Sequence, residues 1–335
     1  MYTEDLPLRV IDLGSKEKDR WKHVVEQDYK SMRALAKQAM QELKSVSPLL
    51  LSPTLHLIFR TAYELCGGMF LGELKSLARG MNISASLATV LNCTYELSHV
   101  GGAMRSFGCT AAIKKTKDCG LVLVRNLDWP LSKIGKATRI FKFVDRSRHF
   151  LSVGVAGYVG VLSGMLPGKY AVTINWAPPY RLPSMKKPGA SFLLRKVLEE
   201  CNSYKEAVRV LSTCPMSTSA FFTVCGVKSG EACVIERTQT DAAVRKIHHG
   251  QLVQANHFVS SKYQHLNAAL DDDGDSGVLE FSQERAGLLE KRLTGEKTFR
   301  QTFNALDEDW VLNGDTTQQM AFCPKTGEMK VGRWT

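Results

Sequence analysis

The chain has 335 residues, 44% of them hydrophobic, with a formal net charge of +11. That is enough apolar material for a substantial core, and no repeat or Pro/Ser/Gly-rich linker divides it, so one globular unit is expected, whole or cut into two pieces. The basic residues are scattered, with only short clusters such as Lys114-Lys115 and Lys186-Lys187. A solvated surface with some pull toward anionic lipid is expected, and nucleic-acid binding is not, because no binding motif accompanies the charge.

The first residues lack the basic and apolar regions of a signal peptide. The most apolar stretch, 48–71, is broken by His56, Arg60 and Glu64, so no transmembrane span is expected. On these grounds the expected location is cytoplasmic. The sequons at Asn82 and Asn92 then carry little meaning. Residues 17–107 read as helical, with apolar positions recurring at three and four, as in Leu35, Ala39, Leu43 and in Leu55, Ile58, Phe59, Ala62. Pro48 and Pro53 punctuate them. The 46–72 piece could pack on the core, line an acyl-chain site or touch a membrane surface.

From Cys109 the pattern changes to short β segments, at 109–115, 121–126, 138–144, 150–156, 159–163 and 169–176. Helices follow at 191–200 and from Ser203, where Ser203 and Glu206 have the spacing of a capping box, to the residue before Pro215. Strands return at 220–227, 231–237, 242–248 and 251–256. A helix at 282–293 precedes a terminal hairpin, 318–322 with 328–332. Strands, a helix pair and strands again give the class α+β.

Nine cysteines occur without a CxxC pair, which reads as free buried thiols in a reducing compartment. The histidines do not fall at zinc spacing. The acidic run Asp271-Asp-Asp-Gly-Asp275 fails as a calcium loop, because Ser276 and Ser282 stand where glycine and glutamate are needed. It reads as a solvated loop, and no cofactor is expected.

The first two strands form a hairpin. Centred between Lys117 and Asp118, it pairs residues whose numbers sum to about 235, placing Cys109 roughly opposite Asn126. A thiol, the Arg125 guanidinium and the Asp128 carboxylate then meet at one end of the ribbon. A thiol of pKa about 8.5 needs a base. If the Gly108–Cys109 bond is cut, the new α-amine, of pKa about 8, sits on the same residue as the thiol and can take its proton. Cys109 is therefore the candidate nucleophile of both self-cleavage and turnover.

These residues carry a resemblance. Cys109-Thr110, then Arg125-Asn-Leu-Asp128, is similar to the catalytic-subunit start of cysteine N-terminal-nucleophile amidases of the acid ceramidase and N-acylethanolamine acid amidase type, with choloylglycine hydrolases more distant. Tyr170-Ala-Val-Thr-Ile-Asn175, Asn202-Ser-Tyr-Lys-Glu-Ala207, Gly230-Glu-Ala-Cys-Val-Ile-Glu-Arg237 and Val253-Gln-Ala-Asn256 resemble the same family in order, and the likeness covers most of 90–335. It implies a four-layer αββα sandwich, cut into a helical piece 1–108 and a catalytic piece 109–335 that stay associated. It implies that Asp128 orients the amine while Arg125 holds Asp128 and favours thiolate, that Asn256 and Asn175 donate to the oxyanion, and that Arg285 is the family's late arginine. One departure is Trp176, where those relatives carry an acidic residue.

The expected activity is that of a self-processing cysteine amidase acting on a linear non-peptide amide, an N-acyl lipid such as a ceramide or N-acylethanolamine, through a thioester on Cys109. The alternatives are an acyltransferase of the penicillin-forming type, whose members lack an arginine at position 125, and an uncut, non-catalytic lipid-binding protein.

Overall fold

The computed structural model describes residues 6–100, 108–146, 148–270 and 277–334. The acidic run 271–275 and most of the segment leading to Gly108 lie outside the described residues.

The chain starts with β1 (Leu8–Asp12), a strand with no counterpart among the predicted elements. Five helices follow: α1 (Lys22–Val46), α2 (Pro53–Leu65), α3 (Leu71–Met81), α4 (Ala85–Asn92) and the single turn α5 (Thr94–Leu97). Their breaks have chemical causes. Pro53 opens α2 behind Ser52, whose hydroxyl caps the Leu55 N–H, and Asn82 ends α3 in the left-handed region at φ 53°.

Next come β2 (Gly108–Thr116), β3 (Gly120–Asp128), the short α6 (Lys133–Ala137), β4 (Thr138–Asp145), β5 (Arg148–Val155), β6 (Ser163–Leu166) and β7 (Tyr170–Trp176). The strand predicted at 159–163 lies three to four residues later. The preceding residues must bend instead, because Gly157 sits at φ 91° and a Cβ on Gly160 would lie 2.4 Å from Ser191 Oγ. The pair α7 (Ala190–Glu200) and α8 (Tyr204–Thr213) leads into β8 (Ala220–Gly226), β9 (Ala232–Arg237), β10 (Ala242–Lys246) and β11 (Gln251–Gln254). The chain closes with α9 (Val278–Arg292), α10 (Phe299–Asn304), β12 (Thr316–Cys323) and β13 (Glu328–Arg333).

The strands make two sheets, an eight-stranded one ordered β1-β4-β5-β6-β7-β8-β9-β10 and a five-stranded one ordered β11-β2-β3-β12-β13. Among the described strand pairs β1–β4 is parallel and the rest are antiparallel. The sheets face each other through β2, β3, β7 and β8; α7 and α8 cover the larger sheet, and α9 and α10 the smaller. This is the αββα layering. Alternation along the hairpin sorts its two faces. Cys109, Ile113, Leu123 and Leu127 join the main core between the sheets, while Ala112, Val122 and Val124 pack with Leu289 and Phe303 beneath α9 and α10.

The hairpin register differs from the predicted one by one residue. Cys109 pairs with Leu127 and Gly108 with Asp128, because the turn closes over three residues, 117–119, onto Gly120 at φ 97°. Among the described residues no helix is long and apolar enough to cross a membrane.

Candidate active site

The single-residue shift in register decides which side chains share a face. Cys109 and Arg125 are diagonal neighbours on the face toward the larger sheet. Arg125 is buried, and its Nη2 donates to Cys109 Sγ at 3.0 Å. Its Nη1 donates to Ser163 Oγ at 2.6 Å, so β6 of the facing sheet aims the guanidinium at the thiol.

Asp128 lies on the opposite face. The expected Arg125–Asp128 contact is not formed, since one residue points into the sandwich and the other beneath α9. Arg285 of α9 takes that place: its Nη1 meets Asp128 Oδ2 at 3.2 Å and Thr110 Oγ1 at 2.8 Å. Thr316 Oγ1 and Asn313 Nδ2 donate to the same carboxylate at 2.7 and 3.1 Å. Burial pulls the Arg285 pKa down from its usual value, against the opposing charge of Asp128. Asp128 also crowds Gly108: a Cβ there would lie 3.0 Å from both Asp128 Cβ and Oδ2.

Asn256, just beyond β11, reaches the backbone of Cys109. Its Oδ1 accepts from the Cys109 N–H at 2.9 Å and from Arg285 Nη2 at 2.8 Å. Its Nδ2 donates to the Trp176 carbonyl at 2.8 Å, and these partners fix which way the amide points. Asn256 was expected to donate to an oxyanion. In the continuous chain it instead accepts from the nitrogen that cleavage would turn into the amine, and its described bonds use one of its two amide protons. Asn175 departs further from expectation. Its Nδ2 donates to the carbonyls of Cys109, Gln254 and Ala255 at 3.3, 2.9 and 3.1 Å. Strand-end carbonyls of the smaller sheet converge there, so Asn175 of β7 braces the two sheets.

The residues that sequence reasoning missed are the supports. Asn313 and Thr316 carry no motif, and Thr110 and Ser163 lie in stretches that resemble the family but were given no role. The helical piece also reaches this corner. Tyr95 Oη donates to the carbonyls of Asn175 and Ser219 at 3.3 and 3.2 Å, and Trp176 Nε1 donates to Ser98 Oγ at 3.0 Å. Trp176 packs against His99, with ring centroids 5.2 Å apart. An acidic residue in its place would put a negative charge there. No group of three or more metal-binding side chains lies together among the described residues.

The balance of buried charge is two guanidiniums to one carboxylate within reach of Cys109.

The family model described as acyl-coenzyme A:6-aminopenicillanic acid acyl-transferase matches residues 114–311. Acid ceramidase of Balaenoptera acutorostrata scammoni is 24% identical over 269 residues, 72% of this chain and 66% of that protein. The N-acylethanolamine-hydrolyzing acid amidase of Caenorhabditis elegans is 29% identical over 189 residues, 51% of each chain. The chain thus spans two thirds or less of the length of these relatives. A solved structure of the C. elegans amidase ortholog superposes with a TM-score of 0.54 at 24% identity, covering 68% of this chain and 100% of that one, a likeness of fold.

Proposed function

Because the chain belongs to the acyl-coenzyme A:6-aminopenicillanic acid acyl-transferase family, we propose that it is a self-processing cysteine amidase that hydrolyses an N-acyl lipid. The observation that carries this reading is the setting of Cys109. One buried arginine touches its sulfur at 3.0 Å, and one asparagine holds its backbone nitrogen at 2.9 Å.

In the first reaction Sγ attacks the Gly108 carbonyl, the bond to the Cys109 nitrogen breaks, and the acyl group moves to sulfur. Water hydrolyses that thioester, leaving a carboxylate on Gly108 and a free amine on Cys109. In each later turnover the amine takes the thiol proton as Sγ attacks the substrate carbonyl, then passes it to the departing amine. Water resolves the second thioester and releases the fatty acid. Asn256 Oδ1 is placed to hold the amine with its lone pair toward sulfur. Asp128 and Arg285 form a fixed pair beside it.

The pieces 1–108 and 109–335 would stay associated after the cut. The parallel β1–β4 pairing supports this, as does the buried Glu73–Arg195 pair between α3 and α7 at 2.5 Å. Acid ceramidase and N-acylethanolamine-hydrolyzing amidase relatives support an N-acyl lipid as substrate. A peripheral contact with lipid is supported by the apolar residues exposed on and before α2, among them Leu49, Leu55 and Ile58. The family description favours a second reading, in which an amine replaces water as acyl acceptor.

Intact-mass measurement tests the proposal. The purified protein should separate under denaturation into 1–108 and 109–335, and Cys109→Ala should stay whole and inactive. Full amidase activity in an uncut chain, or in Cys109→Ala, would sink it. Adding a primary amine during turnover separates the two readings: hydrolysis yields fatty acid, acyl transfer a new amide.

A further inference from the structure

A cleft of about 820 Å³, mouth included, lies between α2, α5 and the segment 182–189. Its walls are apolar, among them Phe59, Tyr63, Leu97, Leu182 and Phe192. None of the side chains that hold the Cys109 thiol lines it.

One carboxyl is set deep in this wall. Glu96 is 8% exposed. Its Oε1 accepts from the Ala190 N–H at 2.9 Å, at the first residue of α7, where the helix N-terminus favours negative charge. Gly189 passes so close that a Cβ would lie 2.5 Å from Oε1. Its Oε2 is buried and finds no hydrogen-bond partner among the described residues. Among the described residues, the titratable groups around it offer no buried cation. Cys93, Tyr63 and Tyr158 are all held neutral by burial, and Lys187 stands with the apolar residues of the lining. A buried acceptor without a donor is unfavourable, and an apolar surround cannot relieve it.

We propose that this cleft binds an amphiphile made of an alkyl chain and a terminal amine, the ammonium donating to Glu96 Oε2 and the chain lying along Phe59, Leu97, Leu182 and Phe192. The shape and the charge point the same way. Small-molecule sites combine apolar walls with one or two placed polar groups, as this cleft does. Once ionised, a carboxyl with one oxygen committed to a helix N-terminus and the other free selects a donor over an acceptor. It selects a cation over an anion even though the protein as a whole is strongly basic. The site does not depend on the amidase reading.

Calorimetric titration of the uncut Cys109→Ala protein with dodecylamine, dodecanol and dodecanoate, each below its micelle concentration, tests this without turnover. Dodecylamine should bind at least tenfold tighter than dodecanoate. Glu96→Gln should weaken dodecylamine at least tenfold while changing dodecanol less than threefold. Leu182→Ser, at an exposed rim position, should weaken all three alike. The ranking on the unaltered cleft decides the matter even where Glu96→Gln fails to fold. Equal affinity for amine and carboxylate would overturn the proposal. So would unchanged amine binding in Glu96→Gln, or a crystal grown with dodecylamine in which only an ordered water meets Oε2.

Discussion

Asn256 sits where two roles can be told apart. Its Oδ1 holds the Cys109 nitrogen, and its Nδ2 keeps one proton beyond the bond to Trp176. Asn256→Asp retains the acceptor and removes the donor. If donation to the oxyanion matters, turnover falls by about 10²–10³ with KM little changed. If holding the amine is the whole role, Asn256→Asp keeps most of the activity that Asn256→Ala loses. Rates of both variants under saturating substrate separate the cases. Glu96 gives a second prediction. Burial raises its pKa to about 7, above the unfolded value. Between the two values the folded chain binds a proton that the unfolded chain does not. Its stabilising contribution is therefore present at low pH and lost as pH rises through about 7. In Glu96→Gln this slope disappears, so denaturant midpoints should shift in favour of the variant from pH 4.5 to 7, by about 3 kcal/mol. His99 and His257 act in the opposite sense. Burial holds both down to about 4, so their contribution is present above the unfolded value and lost as pH falls through about 4. A midpoint difference that does not move with pH would mean that Glu96 is not protonated in the fold.

Most elements were legible because their periods are strong. Short β segments about a turn gave the β2–β3 hairpin, and spacings of three and four marked 17–107, which holds α1 to α5, as helical. The misses have local causes. β1 is a five-residue parallel edge strand, whose partner β4 lies over a hundred residues away and leaves no local mark. A three-residue turn instead of a two-residue one moved the register, and with it the partner of Asp128. Cys109, both arginines and both asparagines were named from motif and resemblance, and they meet at one corner of the sandwich. Their pairing was not legible, because Arg285 arrives from a helix 157 residues beyond Asp128. On α2, Leu55 and Ile58 are 44% and 58% exposed, whereas Phe59 and Tyr63 pack against the main core and line the cleft. Leu55→Asp with Ile58→Asp should therefore leave the melting temperature nearly unchanged while reducing co-sedimentation with anionic vesicles several-fold. Loss of folding would mean that these side chains are covered.

Across the whole molecule, the helical piece is joined to the sandwich by buried charge as well as by packing. Arg195 of α7 forks onto Glu73 of α3 at 2.5 and 2.7 Å, and Arg20 and Trp21 bond the same carboxylate at 2.8 and 2.6 Å. Asp28 of α1 likewise meets Arg139 of β4 and Arg9 of β1. Removing one member of such a set strands the others, which costs about 3–5 kcal/mol. The edge strand has a further consequence, of molecularity. β1 precedes residue 108 and β4 follows it, so the larger sheet is completed across the bond that cleavage would break. While the chain is continuous, docking β1 is an intramolecular search and its rate is independent of concentration. Once the bond is cut, the same step becomes an encounter between two polypeptides, and the entropy formerly limited by the linker must be met by mass action. Refolding from urea should therefore be first-order for Cys109→Ala, whereas the cut protein should refold in better yield as its concentration rises. Equal, concentration-independent recovery of both would show that the sandwich completes itself without β1. A cut made after folding would thus turn a unimolecular fold into one whose recovery depends on concentration.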